Sequence, residues 1–237
     1  MKRAGSEKKA FAVIPARAGS KRIPGKNIRN FLGHPVIEYP IRAAKDSQIF
    51  EQVIVSTDSV EISQISINSG ARVPFLRPAE LSGDEVRAEQ VMAHAAQWIE
   101  EIFGPADICC ILPTTPGLKP SDLVSSHRVW KQVESDYKTL FGVVEYSNSA
   151  FRSFKLSENG LLIPMFLEEL QLQSQDLPLT YGDAGHFYWA SSETWKNSTS
   201  ITAEKGFGWP LDPLRTVDIN SEFDWKLAEL LIGKLLA

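Results

Sequence analysis

Phe11-Ala-Val-Ile-Pro-Ala-Arg-Ala-Gly-Ser-Lys-Arg-Ile-Pro-Gly-Lys-Asn27 is the stretch from which the rest of the chain is read. Its first four residues form a short apolar run of the kind that becomes a buried strand. The run breaks into a loop with Gly19, Gly25, two prolines and the cations Arg17, Lys21, Arg22 and Lys26. Glycine lets backbone N–H groups come close to a bound group, and four neighbouring cations suit a polyphosphate. The loop is not a P-loop. Counted from Gly19, the Gly-Lys pair falls one residue late, and Asn27 stands where that motif needs Ser or Thr. The G-x-G-x-x-G dinucleotide pattern is also absent.

Working outward, strand, loop and helix alternate. The apolar runs Gln52 to Ser56 and Asp107 to Leu112 and the run Thr139 to Val144 read as strands, with a shorter one over Arg72 to Phe75. Between them, helical spacing covers Pro35 to Ser47, Val60 to Ser69, Glu85 to Ile102 and Ser121 to Val133. Pro40 must end or kink the first turn of its helix, Gly70 stops the second, and Gly104-Pro105 stops the third. This rhythm predicts an α/β fold with a mostly parallel, Rossmann-like sheet flanked by helices. Open sheets of that kind bind ligands beyond the carboxyl ends of their strands, where the opening loop would lie.

The rhythm fails after Tyr146. Phe151 to Leu156 and Leu161 to Ile163 flank Asn159-Gly160, a hairpin-turn signal, and the Gln/Leu-rich stretch 168–178 has no clean period. Residues 147–180 therefore read as an insertion in a single domain spanning 1–237. Phe187 to Ala190 returns to a strand, and Ser221 to Leu235 is a closing helix. Ser221 with Asp224 makes a variant capping box, and Leu227, Leu230 and Leu231 are its expected buried stripe.

The 237 residues are 43% hydrophobic, enough for a substantial core, and the net charge of −4 argues against a general nucleic-acid binder. Cys109 and Cys110 are adjacent on a strand, so they face opposite ways and read as core filling rather than a disulfide. The apolar run behind the charged N-terminus is too short for a signal peptide, and no span approaches membrane length. A soluble cytoplasmic protein is expected.

Several polar clusters follow predicted strands. By residue type alone, Asp58 caps the helix at Val60, Arg77 is a surface charge, Pro113-Thr-Thr-Pro116 is a turn and His186 is structural. Together with the opening loop, these segments closely resemble the CMP-sialic acid synthetases, and Asp183-Ala-Gly-His-Phe-Tyr-Trp189 is similar to the pseudaminic acid cytidylyltransferase branch of that superfamily. The resemblance runs from Phe11 to Trp225 through five segments in order.

That resemblance implies a nucleotide-diphospho-sugar transferase architecture and a cytidylyltransferase. Its substrates would be CTP and a nine-carbon sugar acid, pseudaminic acid ahead of N-acetylneuraminic or 3-deoxy-manno-octulosonic acid. It also implies a homodimer joined through 147–180. The nucleotide would be held by Ala16, Arg17, Gly19, Ser20, Lys21, Asn27 and Arg77, the last of which would read cytosine. The sugar would meet Asp58, Thr114, Asp183, His186 and Tyr188. Arg17, Lys21 and Asp218 would carry catalysis, with Mg²⁺ on Asp218 and Asn220. Asp183, His186 and metal activation of the sugar hydroxyl all stay open as the general base. Two departures stand out. Asn220 replaces the second aspartate of the family's Asp-Ile-Asp, and Gly25 replaces a basic residue, so a weakened nucleotide-binding paralogue is the other reading.

Overall fold

A computed structural model of the chain describes residues 8–236. The charged start at 1–7, on which the leader reading bears, lies outside them. In chain order the strands and helices are β1 (Lys9–Pro15), β2 (Asn30–Phe31), β3 (His34–Pro35), α1 (Glu38–Asp46), β4 (Gln52–Ser56), α2 (Val60–Asn68), α3 (Ala88–Phe103), β5 (Ala106–Ile111), α4 (Pro120–Val133) and β6 (Thr139–Glu145). There follow β7 (Phe154–Leu156), β8 (Leu162–Pro164), β9 (Tyr181–Ser191), α5 (Ser192–Asn197), β10 (Gly206–Pro210) and α6 (Glu222–Leu236).

Six strands make the main sheet in the order β10-β6-β9-β5-β1-β4. β1 runs parallel to β4 and β5, and β10 runs parallel to β6, while β9 is antiparallel to both β5 and β6. Five strands therefore point one way and β9 the other. Apolar side chains cover both faces, as the unbroken burial of β5 requires. One face packs on α1, α2 and α4 around Trp130, Phe187 and Trp189; the other packs on α3 and α5 around Phe11, Ile108 and Trp195. Cys109 belongs to the first face and Cys110 to the second, both as free thiols that burial pushes upward in pKa. A third, smaller cluster joins Ile23, Phe31, Val36 and Ile219 to Trp225, Ala228 and Ile232 of α6.

The differences from the sequence reading have local causes. Residues 72–75 form no strand. They sit beyond the edge strand β4, where Arg72 makes an isolated bridge to Ile54 and the next residue after the stretch, Leu76, makes one to Thr57. Pro40 does not break α1, because the helix starts at Glu38 and places the proline in the first turn, where backbone N–H groups have no intrahelical partner anyway. α3 starts at Ala88, not Glu85. β10 and α5 were not anticipated, and β9 begins at Tyr181, six residues earlier than its apolar core indicates. The segment 147–180 contains the β7–β8 hairpin, with Gly160 at φ +83°, and otherwise short 3-10 turns. In α6 the buried stripe is Trp225, Ala228 and Ile232; Leu230 is exposed.

The α6 capping box does form. Ser221 Oγ accepts from the Asp224 amide at 3.2 Å, and Asp224 Oδ2 accepts from the Ser221 amide at 2.8 Å. Burial alone would raise the Asp224 carboxyl, but hydrogen bonds from Ser221 and Asn220, with Lys26 nearby, hold it below its usual range. A depressed folded-state pKa gives stability that is present above the unfolded pKa and lost as pH falls through the folded one. Ser221→Ala should cost about 1 kcal/mol in urea denaturation at pH 7. Asp224→Asn should destabilise at pH 7 and match the wild type once the pH drops below the depressed Asp224 pKa.

Candidate active site

Strand direction gathers the polar segments. β1, β4, β5, β6 and β10 all end at one edge of the sheet, and the reversed strand β9 begins there. The loop after β1, Thr57-Asp58 after β4, Pro113–Pro116 after β5 and the segment 211–220 after β10 thus lie along the same edge as Tyr181–Asp183.

On one side of this edge the opening loop is tied down by its neighbours. The Ala16 amide donates to the Ser56 carbonyl at 2.9 Å and the Ala18 amide to Asp58 Oδ1 at 2.9 Å. Asn27, 8% exposed, donates from Nδ2 to the Arg17 carbonyl at 2.9 Å. Asp58 thus fastens the loop, and the side chain that caps α2 is Ser59, whose Oγ accepts from the Ile62 amide. Arg77 is buried rather than a surface charge; it donates from Nε to Ser56 Oγ at 3.2 Å and from Nη2 to the Ser56 carbonyl. Burial lowers its pKa, with Asp58 opposing and Arg17 adding to that shift. Gly19 is exposed and Ser20 half-buried at the loop tip.

Arg17 and Lys21 converge on Asp84, at 2.9 and 2.5 Å. Asp84 follows Gly83, whose carbonyl also accepts from Arg17 at 3.3 Å. The Lys21 hydrogen bond, helped by Arg17, holds the Asp84 carboxyl below its usual range. A carboxylate therefore sits where the two cations would otherwise meet an anion. Sequence reasoning missed Asp84, since Gly-Asp in a polar stretch reads as an ordinary turn.

On the other side, Asp183 accepts from the Tyr188 hydroxyl on both oxygens at 2.9 Å and from the Gly185 amide at 2.9 Å. Burial and the Asp183 charge push the Tyr188 phenol upward. Gly185, at φ +61°, lies against Asp218; a Cβ there would stand 3.2 Å from its carboxyl carbon. Asn220 Nδ2 donates to Asp218 Oδ2 at 2.5 Å. Residues 216–220 belong to no strand, so this pairing does not come from the alternation of a strand, as the spacing had implied. Lys26 closes the gap between the two sides, donating to the Ile219 carbonyl. Burial lowers the Lys26 pKa, while the charge of Asp218 works against that shift.

Two expected sugar contacts are placed inward. Thr114 is 6% exposed in the loop after β5, and His186 is 2% exposed. His186 Nδ1 lies 2.8 Å from the Ala184 carbonyl, and burial lowers the ring's pKa. This interior position differs from the ligand-facing one that its place in the sequence motif implied.

Among the described residues, no three His, Cys, Asp or Glu side chains are grouped to hold a metal. Asp218 offers a carboxylate, and Asn220, whose amide nitrogen faces it here, would add its amide oxygen with the amide turned over. That set fits Mg²⁺, which takes one or two protein oxygens and completes its shell with phosphates and water.

A family model described as cytidylyltransferase matches residues 11–187. A pseudaminic acid cytidylyltransferase of Campylobacter jejuni is 34% identical over 224 residues, covering 94% of this chain and 96% of its own. A CMP-N,N'-diacetyllegionaminic acid synthase of Legionella pneumophila is 30% identical, covering 94% of this chain and 95% of its own. The solved structure of a CMP:2-keto-3-deoxy-manno-octonic acid synthetase complexed with CTP superposes with a TM-score of 0.69, covering 96% of this chain and 99% of its own. At 15% identity that likeness concerns the fold.

Asp84→Asn should free Arg17 and Lys21 from their internal partner. Calorimetric titration with inorganic pyrophosphate should then give affinity about 2- to 5-fold tighter than wild type, the range of an exposed ion pair. Weaker binding would mean that Asp84 shapes the loop instead of competing for it.

Proposed function

The chain belongs to the cytidylyltransferase family, and from that premise we propose that it joins CTP to a nonulosonic acid, pseudaminic acid first, giving the CMP-sugar and pyrophosphate. The observation that carries this reading is the convergence of Arg17 and Lys21 on one anionic position, in a loop that Lys26 ties to the segment bearing Asp218 and Asn220. The similarity to a pseudaminic acid cytidylyltransferase over nearly both full lengths supports the choice of sugar. The whole chain is read as one domain with 147–180 inserted.

In this reading Arg17 and Lys21 leave Asp84 for the triphosphate and stabilise the charge that gathers as pyrophosphate departs. Asn27 and Asp58 hold the loop that presents them. Arg77 lies buried against Ser56, where it is fixed to read the base. The sugar's anomeric hydroxyl attacks the α-phosphorus; its oxygen forms the new P–O bond, and the bond to the β-phosphate oxygen breaks. We assign the hydroxyl proton to Asp183, a reading supported by its exposure and by its hydrogen bonds from Tyr188 and Gly185. Asp218 and Asn220 hold Mg²⁺, which when bound neutralises phosphate charge. Catalysis is then mainly positioning and electrostatics.

A cytoplasmic location is part of the same proposal. The inserted segment exposes Phe154, Leu156, Leu162, Ile163, Met165 and Leu167, an apolar surface suited to a second copy of the chain. A homodimer is proposed on that surface. Leu162→Glu should halve the mass measured by light scattering if it is right.

The amide of Asn220, one charge short of the family's carboxylate, favours a second reading as a weakly active nucleotide binder. Pyrophosphate release from CTP and Mg²⁺ distinguishes the two. Wild type should require pseudaminic acid, and Lys21→Ala should lose about 10²-fold in turnover while staying folded. Release only after Asn220→Asp would establish the second reading; near-normal turnover by Lys21→Ala would remove the phosphate-loop assignment.

A further inference from the structure

Asp218 is carried by a stretch with no secondary structure of its own. Residues 216–220 form neither strand nor helix, and Asp218 itself is exposed. Its position therefore depends on what holds the segment at each end. Downstream, Ile219 is buried in the third cluster and the α6 cap follows at once. Upstream the anchor is Arg215.

Arg215 forks onto Asp122 at the start of α4, with Nη1 to Oδ2 at 2.5 Å and Nη2 to Oδ1 at 2.8 Å. Nη1 also donates to the Gly117 carbonyl at 3.1 Å. Both side chains are nearly out of solvent, at 12% and 10% exposure. Asp122 in turn accepts from the Lys119 amide at 2.9 Å, so the same carboxylate caps α4 and grips the arginine. The backbone is fitted as closely. A Cβ at Gly117 would collide with the Arg215 carbonyl, so the two chain segments lie directly against each other. The hydrogen bonds to Asp122 raise the Arg215 pKa further, so the guanidinium stays charged.

We infer that Arg215 is a positioning residue for Asp218, acting through Asp122 and the Gly117 carbonyl. It ties the segment bearing Asp218 to the loop after β5 and to the rigid start of α4. A planar, two-pronged arginine fixes direction as well as distance, which a lysine in the same place cannot do. The inference rests on the reading of Asp218 as the metal-holding group, and the test separates the two.

The test compares wild type, Arg215→Lys, Asp122→Asn, their double variant and Asp218→Ala. Mn²⁺ in the presence of CTP is titrated by the paramagnetic resonance of free Mn²⁺, and kcat and the KM for CTP are measured alongside. Arg215→Lys and Asp122→Asn should keep the KM for CTP within about 2-fold, since they lie away from Arg17 and Lys21. Each should weaken Mn²⁺ binding about 10-fold, the scale set by groups that orient metal ligands, and lower kcat with it. The double variant should be no weaker than the worse single, because both act through one pair. If Arg215→Lys does not fold, Asp122→Asn, which leaves the bond to Gly117 in place, carries the same reading. Unchanged Mn²⁺ affinity in the folded variants, with Asp218→Ala weakened, overturns the inference alone. Unchanged affinity in Asp218→Ala overturns the metal reading and the inference with it.

Discussion

Ile23 and Ile219 lie in the same apolar cluster, both at 0% exposure, under Trp225, Ala228 and Ile232 of α6. They are almost two hundred residues apart in the chain. Ile23 sits in the middle of the basic loop, and Ile219 stands between Asp218 and Asn220. Burying each gains roughly 1.5–3 kcal/mol relative to exposure, and neither can be buried unless the cation-rich loop and the Asp218 segment come together. The site thus depends on an apolar contact that takes no part in the chemistry. α6, last in sequence, is the lid on that contact, and its cap begins one residue after Asn220.

The polar contacts then work on a frame already closed. Arg77, Arg215 and Asp122 are each largely buried and each hydrogen-bonded to a fixed neighbour, as buried charge requires. Arg17, Lys21, Asp84, Asp183 and Asp218 are the more exposed groups, and they are the ones free to exchange partners. In the proposed reaction, rigid buried ions set the directions and solvent-facing ones meet the ligand. Asp84 fits this division because its pairs with Arg17 and Lys21 are open to water and therefore weak enough to yield to a polyanion.

Much of this could be read from the chain. β1, β4 and β5 announced themselves because strands buried on both faces leave unbroken apolar runs, and the polar residues just after them proved to share one edge. β10 was missed because Gly-Phe-Gly-Trp-Pro is an edge strand covered on one side only, with exposed and half-buried residues alternating. The first half of β9 was missed because Tyr-Gly-Asp-Ala-Gly has the composition of a turn. In α6, leucines occur on several sides, so residue type alone could not choose between Leu230 and the stripe through Trp225. His186 shows the same limit at the site. Its motif was legible, but the direction of its ring depends on the antiparallel course of β9.

Arg215 and Asp122 were invisible for a different reason. Each looks unremarkable where it stands, one in a loop and one in the first turn of a helix, where an acidic residue is expected in any case. Their meaning comes from a contact across 93 residues, made possible because Gly117 lets the two backbones touch. The same holds for Lys26, one of four cations in the opening loop, which alone turns inward to the Ile219 carbonyl beside Asp218. With Asn220 contributing no charge, Asp218 is the acidic group that most opposes the lowering of the Lys26 pKa, with Asp224 adding to it and Arg22 working the other way. A second carboxylate at position 220 would make that neighbourhood more acidic and draw both the lysine and any cation more strongly. On the proposed metal reading, a fixed ammonium and the cation would compete for one aspartate, and holding that aspartate in place would matter more here than in a site with two.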